Sequence, residues 1–229
     1  ILFSLGVDLI AVQEIASVNN FEALMEGLPD FEAVLSTHRY APNSYQKTGL
    51  IARKDVITIR GSELILVDQS ASMPRPPLRV ALTYHGTDGA FDFDAIIIHL
   101  KAGLTTQDRQ QRETSISLLD IYMRDRLEAN AADRIVLLGD FNTDPSESSG
   151  DDIFAPIVEG SDLYQFPSKA PAEAGAYSFL PSKAMLDHVV FAGDFAAGIT
   201  AQVAEIDDQF ANFEDTVSDH RPVVAGFAP

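Results

Sequence analysis

The segment Leu-Gly-Asp-Phe-Asn-Thr-Asp at residues 138–144 places a carboxylate, Asp140, two residues before an amide, Asn142, where an aliphatic run ends. Alternate side chains of an extended strand point to the same side, so both groups would face one bound phosphate or metal ion. A calcium-binding loop would instead need Gly at its sixth position and Glu at its twelfth, where this chain has Pro145 and Asp151. A catalytic strand end and a plain polar turn are the two interpretations left open.

Two further candidates also follow short aliphatic runs. Glu14 ends the run that begins near Val7. A carboxylate at a strand end suits a hard cation such as Mg²⁺ or Ca²⁺, and a surface acid is the alternative. His99 closes the run at residues 94–98, where a hydrogen-bonded core histidine is more common than a catalytic one. Lys101 would share the face of His99, either beside a bound anion or in solvent.

The last candidates lie near the C-terminus. Asp187 begins a strand-like run, and an acid in such a place is normally exposed or paired, so its role depends on a partner. Asp219 and His220 precede another aliphatic run; at a bend, one of them could bind a metal ion while the other faces a substrate. Phosphate-ester hydrolysis needs these two separate roles, because a cation neutralises phosphate charge and an imidazole takes a proton from water.

The elements that must position these residues are mostly strands. Strands are predicted for the β-branched runs at residues 7–12, 78–83, 94–98, 135–138, 185–191 and 221–227, with two more within 48–60 around Lys54-Asp55. Helices are predicted at 20–27, 106–129 and 151–158, and loops at 41–44, 70–77, 144–150 and 166–175. Many strands with few helices indicate two packed sheets covered by helices on the outside.

The composition favours one α/β domain, because the chain has 229 residues, 46% of them hydrophobic. Its formal charge of −18 opposes attraction to a phosphate backbone unless cations or a local basic rim intervene. The candidates for such a rim are Arg75, Arg79, Lys101, Arg109, Arg112 and Lys183. Arg109 and Arg112 fit better as the solvated face of the long predicted helix.

Several classes of protein are excluded or left undecided. The absence of cysteine rules out disulfides and thiolate chemistry. No run approaches the roughly 20 apolar residues of a membrane span, and no protein partner is evident. The first residues contain no signal-like segment. The location is therefore unknown from the sequence, with a secreted or periplasmic one slightly favoured.

The order of these short motifs carries more information than any one of them. Gln13-Glu14, His99-Leu100, Gly139-Asp-Phe-Asn142, Leu186-Asp-His188 and Ser218-Asp-His220 follow one another along the chain. This order resembles the endonuclease/exonuclease/phosphatase family, metal-dependent phosphoesterases that include pancreatic deoxyribonuclease. The resemblance spans residues 8–224. It implies a four-layer α/β sandwich, in which two mainly antiparallel sheets pack face to face with helices outside.

The resemblance also implies roles for the site residues. The metal ligand would be Glu14, assisted by Asp219, and the ion Mg²⁺, with Mn²⁺ or Ca²⁺ as alternatives. The nucleophilic water, the phosphate or the metal would be contacted by Asp140 and Asn142. A hydrogen bond to Asp187 would orient His220 as general base, and His99 would bind the phosphate. Family members also carry an Asn on a first core strand, so residues 1–229 would form a single domain that lacks that strand.

Three functions are compatible with the motifs and with the resemblance. The first is metal-dependent hydrolysis of a phosphodiester by water, most simply by a nuclease acting on DNA or RNA. The second is a phosphomonoesterase that acts on a small sugar or inositol phosphate. The third, from a different class, is a non-catalytic acidic binding module that keeps the sandwich.

Overall fold

The computed structural model of the chain describes residues 5–39, 46–87 and 89–227, without the side chains of residues 148, 149 and 151. The loop predicted at residues 41–44 lies outside these ranges. Within them, no helix is long and apolar enough to cross a membrane.

Eleven strands are formed by the described residues. One sheet contains β1 (Leu9–Ile15), β2 (Phe31–Leu35) and β3 (Lys47–Arg53) in the order β1-β3-β2. A larger sheet has the order β4-β5-β6-β7-β9-β8 and contains β4 (Ile57–Leu64), β5 (Leu78–Gly86), β6 (Gly89–His99), β7 (Arg134–Asp140), β8 (Tyr164–Gln165) and β9 (Asp187–Gly193). A separate pair joins β10 (Thr200–Val203) to β11 (Val223–Gly226).

Neighbouring strands are antiparallel except for β6 and β7, which are parallel. A parallel pair needs a long crossover, and α2 (Thr106–Ala129) provides it. This helix begins with a capping box, in which the Thr105 side chain accepts from the backbone N–H of Asp108 and the Asp108 carboxylate accepts from that of Thr105. The other helices are α1 (Val18–Glu26), α3 (Ser148–Glu159), α4 (Lys169–Glu173) and α5 (Phe213–Thr216).

The strand β6 shows why both faces of the larger sheet are buried. Ala95 and Ile97 belong to the core between the two sheets, whereas Ile96 and Ile98 belong to the core beneath α2 and α3. Alternate side chains of a strand point to opposite faces, so a continuous apolar run covers both. A third core packs Phe21 of α1 onto the outer face of the small sheet. The layers are therefore helix, sheet, sheet and helices, which confirms the predicted sandwich.

Candidate active site

The register of three neighbouring strands brings three predicted site residues to one edge of the larger sheet. His99 pairs with Asp140 across the parallel strands β6 and β7, and Asp140 pairs with Asp187 across the antiparallel strands β7 and β9. Each stands at the end of its strand. Gly139 permits the close approach of β7 to β6, because a Cβ there would lie 2.2 Å from the Ile98 carbonyl oxygen. Backbone pairing therefore fixes this group of side chains.

His220 reaches the same edge from the C-terminal segment. Its Nδ1 lies 2.7 Å from Oδ2 of Asp187, so the carboxylate accepts a hydrogen bond from Nδ1–H, and Nε2 lies on the opposite side of the ring. The Phe179 ring packs against the imidazole at 4.9 Å between centroids. Burial lowers the pKa of His220, but the hydrogen bond and charge of Asp187 outweigh it, with Asp140 and Asp219 adding to the effect, and raise the pKa to about 9.

Asp140 is nearly fully buried and is held by the turn that follows it. Its Oδ1 accepts from the backbone N–H of Asn142 at 2.7 Å, and its Oδ2 accepts from Nδ2 of the same residue at 2.9 Å. Asn142 adopts a left-handed conformation with φ of 50°, which closes this turn, and its Nδ2 also donates to the Leu100 carbonyl. Burial and the neighbouring charge of Asp187 raise the pKa of Asp140. Because burial and Asp187 disfavour the ionised form of Asp140, a cation bound nearby would stabilise its carboxylate.

His99 is buried at the same edge, with 3% of its surface exposed. Its Nε2 lies 3.4 Å from Oδ2 of Asp140 and 3.7 Å from Oε1 of Glu14. Nη1 of Arg75 lies 3.0 Å from both ring nitrogens. Burial, followed by the positive charges of Arg75 and His220, lowers the pKa of His99 to about 3. The imidazole is therefore neutral at pH 7. His99 is a buried core histidine and also lies at the candidate site.

Glu14 enters the site from the small sheet. Its backbone is left-handed, with φ of 57°, where β1 shifts register against β3 between Val12 and Ile15. A non-glycine residue in this region carries strain, and the bend turns the Glu14 carboxylate toward His99. The side chain is 63% exposed. Its carboxylate is therefore accessible to solvent and to a ligand.

Asp219 lies exposed beside His220 and borders the same cavity as Glu14. Over the described ranges, no three acidic or histidine side chains converge into a closed metal cluster. The oxygen donors nevertheless suit Mg²⁺, which is commonly bound through one or two carboxylates and completes its shell with water and substrate phosphate oxygens. Glu14 and Asp219, beside the buried Asp140, match that pattern.

The basic residues suggested for a rim have other partners. Lys101 pairs with Asp108 at 3.0 Å, and Arg109 pairs with Asp152. The prediction that Arg112 is solvated was wrong, because the side chain is buried and donates to Thr143 Oγ1 and to the carbonyls of Lys101 and Gly103. These contacts hold the loop after β6 against the loop after β7.

Arg75 is the basic residue that the fold brings to the site. It is buried, and besides His99 it donates through Nη2 to the Leu100 carbonyl at 2.8 Å. The sequence predicts a loop at residues 70–77, with Arg75 as one of the candidates for a basic rim. Its position before β5 gave no signal of the contact with His99, which lies 24 residues further along the chain.

His188, a member of the Leu186-Asp-His188 motif to which the sequence assigned no role, supports the site from behind. Its Nε2 lies 3.0 Å from the Thr143 carbonyl and 2.9 Å from the Met185 carbonyl, and its Nδ1 lies 3.1 Å from Ser168 Oγ. Two carbonyl acceptors at Nε2 fix the proton there. This buried ring therefore ties the loop after Asn142 to the segment that leads into Asp187.

Comparisons with known proteins agree with this fold. The profile described as "Endonuclease/Exonuclease/phosphatase family" matches residues 1–220. No curated protein matches the sequence.

Several solved structures have the same fold. The human Nocturnin catalytic domain with bound sulfate anion is 16% identical with a TM-score of 0.71, over 99% of this chain and 83% of that chain. The structure of D. rerio TDP2 complexed with single strand DNA product is 14% identical with a TM-score of 0.71, over 100% of this chain and 88% of that chain. A mannosyl-6-phosphatase from Bacteroides thetaiotaomicron is 16% identical with a TM-score of 0.67, over 99% and 87%.

Proposed function

The chain belongs to the endonuclease/exonuclease/phosphatase family, whose members hydrolyse phosphoric esters, and on that premise we propose that it is a divalent-metal-dependent phosphodiesterase, most simply a nuclease. The observation that carries the proposal is the 2.7 Å hydrogen bond between His220 and Asp187, at an edge shared with Asp140 and His99. A carboxylate that orients an imidazole is the arrangement that a general base requires.

The proposed reaction is an in-line attack of water on phosphorus. Asp187 accepts a hydrogen bond from Nδ1 of His220, so Nε2 of the neutral ring accepts a proton from the attacking water. With a pKa of about 9, the ring is neutral above that pH, or at lower pH where a bound cation lowers its pKa. Asp140, held by Asn142, helps to orient that water. His99 is neutral and donates a hydrogen bond to a phosphate oxygen, while the charge of Arg75 beside it favours a bound anion. The water oxygen forms the new bond to phosphorus as the leaving oxygen departs, so no covalent enzyme intermediate is needed.

The proposed cation is Mg²⁺, with Mn²⁺ as the alternative, held by Glu14 and Asp219. When bound, such an ion neutralises phosphate charge and stabilises the charge that develops in the transition state. This requirement is consistent with the formal charge of −18, because an acidic protein without a cation repels its own substrate.

Two observations bear on the substrate class. The D. rerio TDP2 structure of the same fold holds a single strand DNA product, which supports a nucleic-acid diester for this chain. The Bacteroides thetaiotaomicron neighbour is a mannosyl-6-phosphatase, and this favours a small sugar phosphate as the second candidate. The third alternative, a non-catalytic binding module, has less support because the hydrogen-bonded His220 and Asp187 are both present.

The test compares diesters with monoesters under metal control. Purified protein is incubated with plasmid DNA, single-stranded DNA, bis(p-nitrophenyl) phosphate, p-nitrophenyl phosphate and mannose 6-phosphate, each with Mg²⁺, with Mn²⁺ or with EDTA. We expect hydrolysis of the diesters with metal and none with EDTA. Faster hydrolysis of the monoesters would select the second candidate instead.

The variant His220→Ala tests the role of the imidazole in the same assay. We expect a loss of about 10²-fold or more, the scale for removal of a general base. The matched control is His85→Ala, because His85 is an exposed histidine that contacts Thr58 on the opposite part of the larger sheet. Equal activity of both variants and the parent protein would remove His220 from the mechanism.

A further inference from the structure

A short segment between α4 and β9, Tyr-Ser-Phe-Leu at residues 177–180, contacts both partners of the hydrogen bond between His220 and Asp187. The two partners lie 33 residues apart in the chain. Asp187 belongs to β9, whereas His220 belongs to the C-terminal segment before β11. A third segment that binds both of them would therefore fix the distance between the carboxylate and the imidazole.

On one side, the Ser178 side chain binds the start of β9. Ser178 is fully buried, and its Oγ accepts from the backbone N–H groups of Leu186 and Asp187, each at 3.0 Å. A hydroxyl oxygen has two acceptor lone pairs, so these two bonds use both. Asp187 is the first residue of β9. The hydroxyl therefore helps to determine where the backbone places the carboxylate that orients His220.

On the other side, the backbone of the same segment pairs with the residues around His220. The Ser178 carbonyl accepts from the backbone N–H of Arg221 at 2.7 Å, and Phe179 forms an antiparallel bridge with His220. In an antiparallel pair of this non-hydrogen-bonded type, the opposite side chains come closest to each other. This pairing explains why the Phe179 ring lies 4.9 Å from the imidazole.

The side chain of Arg221 adds a further link between the two segments. Its Nε and Nη2 donate to the two carboxylate oxygens of Asp207, each at 2.8 Å. A bidentate contact of this kind fixes the plane of the guanidinium, which lies 4.4 Å from the centre of the Tyr177 ring. Tyr177 precedes Ser178, so side chains as well as backbone bonds join this segment to the residue that follows His220.

We propose that Ser178 is a positioning residue, whose hydroxyl holds Asp187 while its carbonyl holds the residue after His220. The two contacts together keep Nδ1 of His220 within hydrogen-bond reach of Asp187. This inference rests on the proposed function, but the hydrogen bond that it concerns can be measured without a substrate. Ser178 acts through Asp187 and His220, so its removal should affect turnover more than substrate binding.

The test compares Ser178→Ala with Ser115→Ala. Ser115 is an equally buried serine on α2, with its Oγ 3.0 Å from the Ser72 carbonyl oxygen, so it controls for the loss of a buried hydroxyl. In proton NMR, the Nδ1–H of a histidine that donates to a carboxylate gives a separate downfield resonance, identified by its loss in His220→Ala. We expect this resonance in the parent protein and in Ser115→Ala, and its loss in Ser178→Ala.

Hydrolysis of bis(p-nitrophenyl) phosphate with Mg²⁺ provides the second readout. Ser178→Ala should lower kcat by about 10- to 100-fold, because a misplacement of about 1 Å can cost about 10²-fold. Its KM should stay within about threefold, since the lost interaction acts in the transition state. Ser115→Ala should keep the kcat of the parent protein.

The outcomes separate this inference from the proposed function. An unchanged resonance or an unchanged kcat in folded Ser178→Ala would overturn the role of Ser178, as would equal losses in the two serine variants. A parent protein without the resonance would contradict the hydrogen bond itself and overturn the inference too. A parent protein that shows the resonance but no hydrolysis would count against the proposed function, and the resonance would still decide whether Ser178 holds His220.

A measurement on the parent protein covers the case in which Ser178→Ala does not fold. Amide hydrogen exchange is followed by NMR for Asp187, bound to the Ser178 hydroxyl, and for Arg221, bound to the Ser178 carbonyl. Segments that one residue holds together should open as a unit, so we expect protection factors within about threefold of each other. Protection that differs by about tenfold or more would show that the two segments open independently, and would overturn the proposal.

Discussion

The two sides of the candidate site are built in different ways. On one side, His99, Asp140 and Asp187 stand in register on three paired strands of the larger sheet, and two of them are buried. On the other side, Glu14 and Asp219 are exposed and border one cavity. Strand register therefore determines the geometry of the first side, whereas a strained residue and a terminal segment determine that of the second.

This difference separates two chemical tasks. A group that moves or orients a proton must be held within hydrogen-bond reach, and the buried side of the site provides that rigidity. Ligands of Mg²⁺ share the ion with water and substrate oxygens, so they need access to solvent more than burial. The exposed side meets this need. We therefore expect substitutions on the two sides to fail in different ways.

The largest effect is expected on the buried side, from Asp140→Asn. Activity should fall by about 10²-fold or more, because the carboxylate that helps to orient the water is lost. The thermal midpoint should stay the same or rise, since burial and Asp187 already disfavour the charge of Asp140. Steady-state kinetics and a melting curve would check this, with Asp92→Asn as the control at an exposed acid. A strongly lowered midpoint would mean that Asp140 is a structural residue.

On the exposed side, Glu14→Gln should act through the metal. We expect the Mg²⁺ concentration needed for half-maximal activity to rise by about 10-fold or more, because loss of even an outer-shell partner weakens a metal site by about 10- to 100-fold. The melting midpoint should be unchanged. Activity titrated against Mg²⁺ would measure this. Glu113→Gln provides a control acid on the exposed surface of α2. An unchanged Mg²⁺ requirement would take Glu14 out of the metal site.

The two histidines give a smaller but direct contrast within the buried side. In the metal-free protein, the imidazole of His220 should titrate near pH 9 and that of His99 near pH 3. Asp187 stabilises the protonated form of His220, so Asp187→Asn should move the pKa of His220 down toward its ordinary value of about 6.5. Imidazole chemical shifts in NMR would follow both groups. A pKa of His220 that is the same with and without Asp187 would contradict the coupling.

The sequence predicted much of the fold, since local patterns determine the longest elements. The helix at residues 106–129 forms as predicted, with Ile116, Leu119, Met123 and Leu127 buried on one face. The two strands expected around Lys54-Asp55 are β3 and β4. The strand β2 was not predicted, because its five residues include a Glu and its identity as a strand depends on pairing with β3. Distant pairing of this kind leaves no local periodicity.

The site shows the same limit. The contact between Asp187 and His220, 33 residues apart, was expected and is present, because the order of the motifs along the chain indicated it. The burial of Arg112 and the contact of Arg75 with His99 were not expected. Each contact depends on a loop that folds over a strand end. The presence of an arginine in the sequence does not show whether its side chain lies in solvent or in a buried hydrogen-bond network. Short polar segments therefore identified the residues, but not all of their partners.

The central claim is that the two sides act in one reaction centre, and a double-mutant cycle between Glu14→Gln and His220→Ala tests it most directly. The rate of Mg²⁺-dependent diester hydrolysis is measured for the parent, both single variants and the double variant. Residues that act in one step are strongly non-additive, so we predict that the double variant is no slower than His220→Ala alone, within about threefold. A double variant whose loss equals the product of the two single losses would contradict a shared centre.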